Sequence, residues 1–233
     1  EEAKKRIKEG LESLEKVAEE AKYGFVMGDH FRTARDLAYF VLDDEKERDR
    51  FQALINLFSF QVKGDEFKSK MSGTDDKGKY WAFPSLEDFD KSGFSYIRSL
   101  LPKYKHPRIR SRIAHFLWVV EKDHKMAQTA IKEYLKVVDW LSSEIKKDPE
   151  NNSAFEIVNA LESAHTLAKK IKHGLDEVNK SIADTILNFD NQSSSRWAVT
   201  HKLIAYALGN KKEYGQDFWE KAIKLMEDPR ARH

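Results

Sequence analysis

Residues 107–121 read PRIRSRIAHFLWVVE, and residues 124–146 read HKMAQTAIKEYLKVVDWLSSEIK. In both stretches apolar residues recur every three or four positions, which is the spacing of one face of an α-helix. Pro107 suits the first turn of a helix, where its missing N–H group leaves no hydrogen bond unmade. Lys122-Asp123 separates the two stretches. We therefore predict two consecutive helices joined by a tight turn.

Helical spacing also covers most of the remaining chain. It predicts helices over these ranges: 2–27, 29–42, 43–62, 94–101, 153–172, 175–189, 196–208 and 212–227. Gly28-Asp29 is expected to break the first helix from the second, and Gly209-Asn210 to form the last turn. The buried face of the second helix is assigned to Phe31, Ala34, Leu37, Ala38 and Val41. No window alternates with a two-residue period, so we expect an all-α fold of about ten helices packed as antiparallel hairpins, without strands.

Residues 63–84 interrupt the helical pattern. They are polar, rich in glycine and without a period, and we predict a loop. At about twenty residues it is longer than an ordinary connection, which indicates a mobile or functional segment. The 233 residues fit a single all-α domain, 1–233, or two subdomains, 1–62 and 85–233, that this loop joins.

An aromatic run closes that predicted loop. It contains Tyr80 and Trp81. Aromatic side chains on an exposed loop are favoured anchors for partner proteins. We therefore assign Tyr80 and Trp81 to a candidate binding surface.

Composition excludes several classes of site. The chain has no cysteine, so disulfides, thiolate metal sites and a cysteine nucleophile are excluded. His165 and His173 lie two helical turns apart, too far to share a metal ion without help, and we expect neither a metal nor a cofactor. We expect no leader, and no apolar stretch of about 18 residues occurs in the sequence, so we expect a cytoplasmic protein without a membrane partner.

Positive charge is concentrated in one window. The formal net charge of the whole chain is only +2, yet residues 91–120 contain no acid and carry seven cations. These cations are Lys91, Arg98, Lys103, Lys105, Arg108, Arg110 and Arg112. Cations interleaved with aromatic rings are typical of surfaces that bind nucleic acid. The alternative is that acids of nearby helices neutralise them, such as Asp43, Asp44, Glu45, Glu47 and Asp49.

Three predicted turns share a pattern of polar turn residues followed by small residues. They begin at Gly28, Lys122 and Gly209. Small residues after a turn let paired helices approach closely, and the pattern resembles tetratricopeptide-type packing, in which helix pairs stack in an array. The turns lie roughly ninety residues apart instead of the thirty-four of that family, so the array would be irregular. Segment 106–135 also resembles a helical module of uncharacterised microbial multidomain proteins, which implies a helical scaffold without a settled activity.

Arg110 and His115 carry one enzymatic resemblance. Their spacing is similar to the Arg-x4-His motif of HEPN-type ribonucleases, which are all-α proteins that usually form dimers. The resemblance implies that His115 would act on protons while Arg110 steadies the phosphate charge. The alternative is that His115 packs at a helix edge and the arginines bridge to neighbouring helices. Arg196 and His201 have the same spacing.

Taken together, these patterns favour a helical scaffold or binding module over an enzyme. Its partner would be a protein or a nucleic acid, bound by Lys103, Lys105, Arg108, Arg110, Arg112, Tyr80 and Trp81. The alternative function is a ribonuclease that uses Arg110 and His115 as a dimer.

Overall fold

The computed structural model of the protein describes residues 2–20, 24–63, 66–69, 72–74, 80–82, 91–148, 154–188 and 194–227. Ten α-helices lie within these residues, which confirms the all-α fold class. They are α1 Glu2–Glu20, α2 Gly24–Leu37, α3 Glu45–Ser59, α4 Lys91–Leu100, α5 Pro107–Glu121, α6 His124–Lys147, α7 Ala154–Ile171, α8 Leu175–Asn188, α9 Ser194–Gly209 and α10 Gln216–Met226. A π-helix, Ala38–Leu42, follows α2, and a 3-10 helix, Lys211–Glu213, precedes α10.

The chain divides into two compact units. The first is Glu1–Asp123 and the second is His124–His233. The boundary therefore lies between α5 and α6, and the 63–84 segment belongs to the first unit. The single domain 1–233, and the alternative of two subdomains joined by that segment, stay predictions.

The core of the first unit forms where α2 packs against α1 and α3, and where α5 packs against α3 and α4. Phe31 of α2 is fully buried, and its ring centroid lies 6.2 Å from that of Phe51 and 6.1 Å from that of Phe58, both in α3. Ile109 and Phe116, two of the residues predicted to face inward on α5, are also fully buried. Aromatic packing of this kind supplies much of the apolar area that a domain core removes from water.

Gly28 does not break a helix, which corrects the prediction of a turn at Gly28-Asp29. Helix α2 runs through both residues. Met27 and Phe31, on either side of them, are fully buried. A glycine costs a helix interior only about 1 kcal/mol, and burial of these apolar side chains exceeds that cost. The first predicted turn is therefore absent, and the helical hairpins do not share one repeated turn.

The π-helix corrects the predicted buried face of the second helix. Asp43 and Asp44 both donate backbone N–H groups to the carbonyl oxygen of Ala38. A π-helix has more residues per turn than an α-helix, so the rotation about the helix axis from one residue to the next is smaller. Ala38 and Leu42 therefore lie on the buried face, whereas Val41, which the α-helical spacing placed inward, is exposed.

The described parts of the predicted 63–84 loop contain strands, which corrects the expectation of a fold without strands. Two antiparallel hairpins form, β1 Phe60–Lys63 with β2 Glu66–Ser69, and β3 Ser72–Thr74 with β4 Tyr80–Ala82. Lys63 pairs with Glu66, so two residues, Gly and Asp, connect the first pair. A glycine and an aspartate between two short runs are a recognised hairpin signal. The sequence Ser85-Leu86-Glu87-Asp88 also predicts a helix start, with an acid three residues after the capping serine, but these residues lie outside those that the structure describes.

The second unit is organised around α7, which contacts α6, α8 and α9, while α10 contacts α8. The buried residues of α7 are Ile157, Val158, Ala160, Leu161, Ser163, Ala164, His165, Leu167 and Ala168. A helix that is apolar over so much of its circumference is stable only when other helices cover it. Gly174 adopts a φ of 74° between α7 and α8, as expected of a glycine at a helix end.

Two predicted turns are confirmed. Lys122 adopts a left-handed conformation and its N–H donates to the Trp118 carbonyl oxygen at 2.8 Å, which ends α5. Gly209 ends α9 as predicted, and the N–H of Asn210 donates to Ala207 at 2.9 Å. Helix α10 begins at Gln216 instead of Lys212, because Lys212 lies in the 3-10 helix and the extended Gly215 caps α10.

Candidate interaction surfaces

The π-helix exposes three consecutive large apolar side chains, which we call the aromatic surface: Tyr39, Phe40 and Val41. They are 45%, 77% and 45% exposed. The rings of Tyr39 and Phe40 meet edge to face, with centroids 4.9 Å apart. The guanidinium of Arg48 lies 5.3 Å from the centroid of the Tyr39 ring. These contacts hold the two rings in place, so little conformational freedom would be lost on binding.

An open groove of about 840 Å³ follows the aromatic surface along the chain. One part of its lining comes from α1 and includes Lys4, Lys5 and Lys8, and another is Leu42 with the acids Asp43, Asp44 and Glu45. Glu9 and Glu12 of α1 also line the groove, so its α1 part carries both signs of charge. The Oδ1 atom of Asp44 also accepts from the backbone N–H of Glu47 at 3.1 Å, which caps α3. We refer to these residues as the charged groove.

The arginines of the basic window are engaged within the first unit. Arg98 forms ion pairs with Glu121 and, at 3.2 Å, with Asp123. Arg110 donates from Nη1 to the carbonyl oxygens of Leu101 at 2.8 Å and Tyr104 at 3.1 Å. These contacts fix the turn that leads into α5.

Two further arginines of the predicted binding group lie inside or against the fold. Arg108 is buried, and the guanidinium of Arg112 lies 5.7 Å from the centroid of the Phe58 ring. Lys103 and Lys105, in contrast, are exposed. The structure therefore does not gather the five predicted cations on one open face.

The predicted ribonuclease residues both lie on α5. His115 is 0% exposed, and the guanidinium of Arg110 donates hydrogen bonds to backbone carbonyl groups. An imidazole that transfers protons on RNA must be reached by a phosphodiester. This geometry favours the packing interpretation of His115.

The predicted loop anchors Tyr80 and Trp81 lie in β4. In its backbone pairing, Tyr80 lies opposite Thr74 and Trp81 opposite Gly73. Their assignment to a binding surface stays a prediction.

A half-buried ion-pair network joins α1, α3 and the turn before α5. Arg50 of α3 pairs with Glu15 of α1, and its Nη2 atom lies 2.6 Å from Oε2 of Glu47. Its Nη1 atom also donates to the hydroxyl oxygen of Tyr104 at 2.7 Å. Burial raises the pKa of Tyr104, so this hydroxyl stays neutral. Arg50 is not among the residues that the sequence patterns predict to be functional.

The second unit contains a polar network around His165, which is 1% exposed. Its Nε2 atom lies 2.7 Å from Oε2 of Glu213, and its Nδ1 atom lies 2.7 Å from the hydroxyl oxygen of Tyr206. A carboxylate only accepts hydrogen bonds, so a proton is placed on Nε2; in the tautomer with this one ring proton, Nδ1 accepts from the Tyr206 hydroxyl. Lys169 also reaches Glu213, with 2.9 Å between Nζ and Oε1. The network joins α7, α9 and the 3-10 helix.

The charge of Glu213 is held by this network. Burial by itself raises the pKa of a carboxyl group, but hydrogen bonds from His165 and Lys169 outweigh that effect. The pKa of Glu213 therefore lies below its usual range. Within the part of the chain that the structure describes, no three His, Asp or Glu side chains are grouped to hold a metal ion. None of the described helices combines the length and the apolar content of a bilayer-crossing segment.

Residues 12–180 match a protein family described as a domain of unknown function (DUF7380). This match spans more than half of the chain, and the chain belongs to that family. No curated protein and no solved structure matches the chain. The matched residues contain the aromatic surface and His165, whereas Tyr206 and Glu213 lie beyond them. The protein is thus a helical module of a family whose function is unknown.

Proposed function

We propose that this member of the DUF7380 family is a protein-interaction module that binds a partner protein through the aromatic surface. The exposure of Phe40, at 77%, is the observation that carries the proposal. Aromatic anchors near the centre of an interface contribute more binding free energy than most other contacts. An exposed cluster of large apolar side chains rimmed by polar groups is typical of a protein-binding site.

The backbone that presents Phe40 supports this proposal. A π-helix is less favourable than an α-helix, and such segments are frequent at functional sites. Here the π-helix turns Val41 outward and adds it to the apolar area of Tyr39 and Phe40.

A protein partner is favoured over a nucleic acid because the arginines of the basic window are buried or contact groups of their own unit. Arg98 and Arg110 bind groups of their own unit, and Arg108 is buried. Nucleic-acid affinity comes mainly from exposed cations that contact phosphates. Among the five cations of the predicted binding group, Lys103 and Lys105 are the exposed ones, and two lysines supply a small part of such an interface.

A photo-reactive residue at position 40 tests the proposal. Phe40→p-benzoylphenylalanine, made in cells that produce the protein, should give discrete protein adducts after irradiation. The matched control is the same residue in place of Leu208, which is also exposed but lies in the second unit. Adducts at position 40 that disappear in a Tyr39→Ser, Val41→Ser background would support the proposal. Equal adducts at positions 40 and 208, or none at either, would contradict it.

Salt-dependent binding of RNA and DNA separates the two kinds of partner. The variant for this assay is Lys103→Ala, Lys105→Ala, because these exposed side chains can be removed without disturbing internal contacts. We expect weak binding whose dependence on salt is small in both the native and the variant protein. Tight binding with a steep salt dependence that the variant loses would favour a nucleic-acid partner.

A further inference from the structure

We propose that the second unit binds an amphipathic helix of a partner protein in a groove between α6 and α8. The groove has a volume of about 350 Å³, and its lining comes from these two helices, which both pack against α7. We call it the α6–α8 groove. It belongs to a different unit from the aromatic surface, so the inference goes beyond the proposed function and stands independently of it.

The α6–α8 groove is lined by charges of both signs. Its five charged side chains, all of them exposed, are Asp139 and Lys146 of α6 and Glu177, Lys180 and Asp184 of α8. Within the part of the chain that the structure describes, none of the five forms an ion pair or a side-chain hydrogen bond. These charges therefore remain open to groups of a partner.

Ion pairs do form on α6 beside the groove. Lys136 pairs with Glu133, with 3.1 Å between Nζ and Oε1, and Lys147 pairs with Glu144 at 2.8 Å. Within the groove, Lys180 lies three residues after Glu177 and four before Asp184, which is the same kind of spacing. The spacing would allow ion pairs inside the groove, yet the side chains do not form them.

The spacing of the groove charges selects a helix as the occupant. Successive charges on α8 are about one helical turn apart, and Asp139 and Lys146 are about two turns apart. A helix that lies along the groove has the same pitch of about 5.4 Å, so its side chains can oppose each charge in turn. An extended segment repeats about every 6.6 Å and loses that match over the roughly 16 Å from Glu177 to Asn188.

The floor and the sign of the charges define the surface of that helix. Val138 and Ile145 are buried at the floor, and Leu135 is half-buried, so the groove accepts a narrow apolar stripe. Because cations and carboxylates both line the groove, the stripe must be flanked by charges of both signs. Three carboxylates would repel the phosphates of a nucleic acid.

A photo-reactive residue in the groove identifies what binds there. Asn188→p-benzoylphenylalanine, in the full chain and in cells that produce it, places the probe on an exposed position of the lining. The matched control has the same residue in place of Lys224, which is exposed on α10 and does not line the groove. Mass spectrometry then identifies the crosslinked segment of the partner, and that segment is synthesised as a peptide.

Charge reversal tests the recognition of that peptide. Glu177→Lys and Lys146→Glu should each raise its dissociation constant at least about fivefold, because like charges would then face one another. The matched controls are the sequence neighbours Asp176→Lys and Lys147→Glu, which lie in the same helical turns but do not line the groove. They should leave the dissociation constant nearly unchanged. Fluorescence anisotropy measures binding, and circular dichroism checks that each variant keeps its helices.

Three results together would support the inference: adducts at position 188 that are absent at 224, a crosslinked segment with an apolar stripe and both signs of charge, and a peptide that only the groove variants weaken. Equal adducts at the two positions, no adducts, a segment without helical periodicity, or a peptide that binds all four variants equally overturns it. If these fail while position 40 gives specific adducts, the proposed function stands. Adducts at 188 without any at 40 contradict the proposed function alone.

Discussion

The Nδ1 atom of His106 accepts a hydrogen bond from the backbone N–H of Arg108 at 3.3 Å, and this contact caps the N-terminus of α5. A protonated imidazole cannot accept that bond and would place positive charge at the positive end of the helix dipole. Burial lowers the pKa of His106 to about 4, and the charge of Arg108 acts in the same direction. The histidine therefore caps the helix in its neutral form.

The stability of the protein should fall as the pH falls between about 6.5 and 4 because of His106. In that range the unfolded chain binds a proton at this histidine and the folded chain does not, so lower pH favours unfolding. The ring is partly open to solvent, and we expect a loss of about 1 kcal/mol instead of the full shift. His106→Asn keeps a capping oxygen that does not titrate and should reduce the loss.

Urea denaturation at both ends of that pH range, followed by circular dichroism, measures the effect of His106. The control His173→Asn removes an exposed histidine. It should leave unchanged the difference in unfolding free energy between the two pH values. An unchanged pH dependence in His106→Asn would show that the cap does not titrate as described.

Arg50 should be essential for the stability of the first unit. Arg50→Lys retains the charge but cannot reach Glu15, Glu47 and the Tyr104 hydroxyl together, because an ammonium lacks the planar fork of a guanidinium. We expect the free energy of unfolding to fall by about 2 kcal/mol. Arg6→Lys, which changes an exposed arginine in α1, should alter it by less than about 0.5 kcal/mol. Equal effects of the two changes would exclude a special role for the network.

Tyr206→Phe should destabilise the second unit by about 1–3 kcal/mol. The change removes the hydroxyl that donates to Nδ1 of the buried His165 and leaves that nitrogen without its donor. Tyr214→Phe is a matched control, because the Tyr214 hydroxyl lies 3.4 Å from Oδ1 of Asn179 and forms a weaker contact. Urea midpoints compare the two variants. A larger loss in Tyr214→Phe would contradict this assignment.

Arg110 should act on stability and have little effect on ligand binding. Arg110→Ala removes the donor to the carbonyl oxygens of Leu101 and Tyr104 and should cost about 1.5–3 kcal/mol. Lys105→Ala, on an exposed lysine five residues earlier, should cost less than about 0.5 kcal/mol. Thermal denaturation of the native chain and the two variants measures both losses of stability. If Arg110→Ala is as stable as the native chain, the internal contacts do not matter and its side chain is available for a ligand.

Gly28→Ala should stabilise the protein by about 0.5–1 kcal/mol. Gly28 lies inside α2, its φ is not positive, and a Cβ atom there would have no neighbour within 4 Å. Alanine then favours the helix by limiting the unfolded chain. A lower urea midpoint in this variant would mean that Gly28 occupies a turn, as the sequence pattern suggested.

The helical fold followed from the sequence because burial imposes the period of three to four residues, and α5 and α6 show that period without interruption. The π-helix could not be predicted from the sequence, because one wider turn leaves the spacing of Phe31 and Ala34 unchanged and affects only the residues that follow. The two β-hairpins were not predicted because their strands are three or four residues long, too short to show a clear alternation of apolar and polar residues.

The candidate sites were harder to predict because side-chain contacts depend on distant residues. Nothing near Arg110 in the sequence indicates that its guanidinium turns back to carbonyl groups instead of facing solvent. His165 was considered as a metal ligand, but its partners lie 41 and 48 residues further along the chain. An exposed aromatic residue such as Phe40 is also indistinguishable, in the sequence, from a core residue on a helix.

The π-helix at Ala38–Leu42 makes the aromatic surface depend on the number of residues more than on their identity. Substitutions at Tyr39 or Phe40 change what the surface presents but keep the segment in phase with α2. Deletion of one residue would return the segment to α-helical spacing, because the extra residue is what widens the turn. The following residues would then rotate by about 100° and direct a different side chain outward. Relatives that lack one residue here would therefore lose the surface even if every aromatic residue were retained.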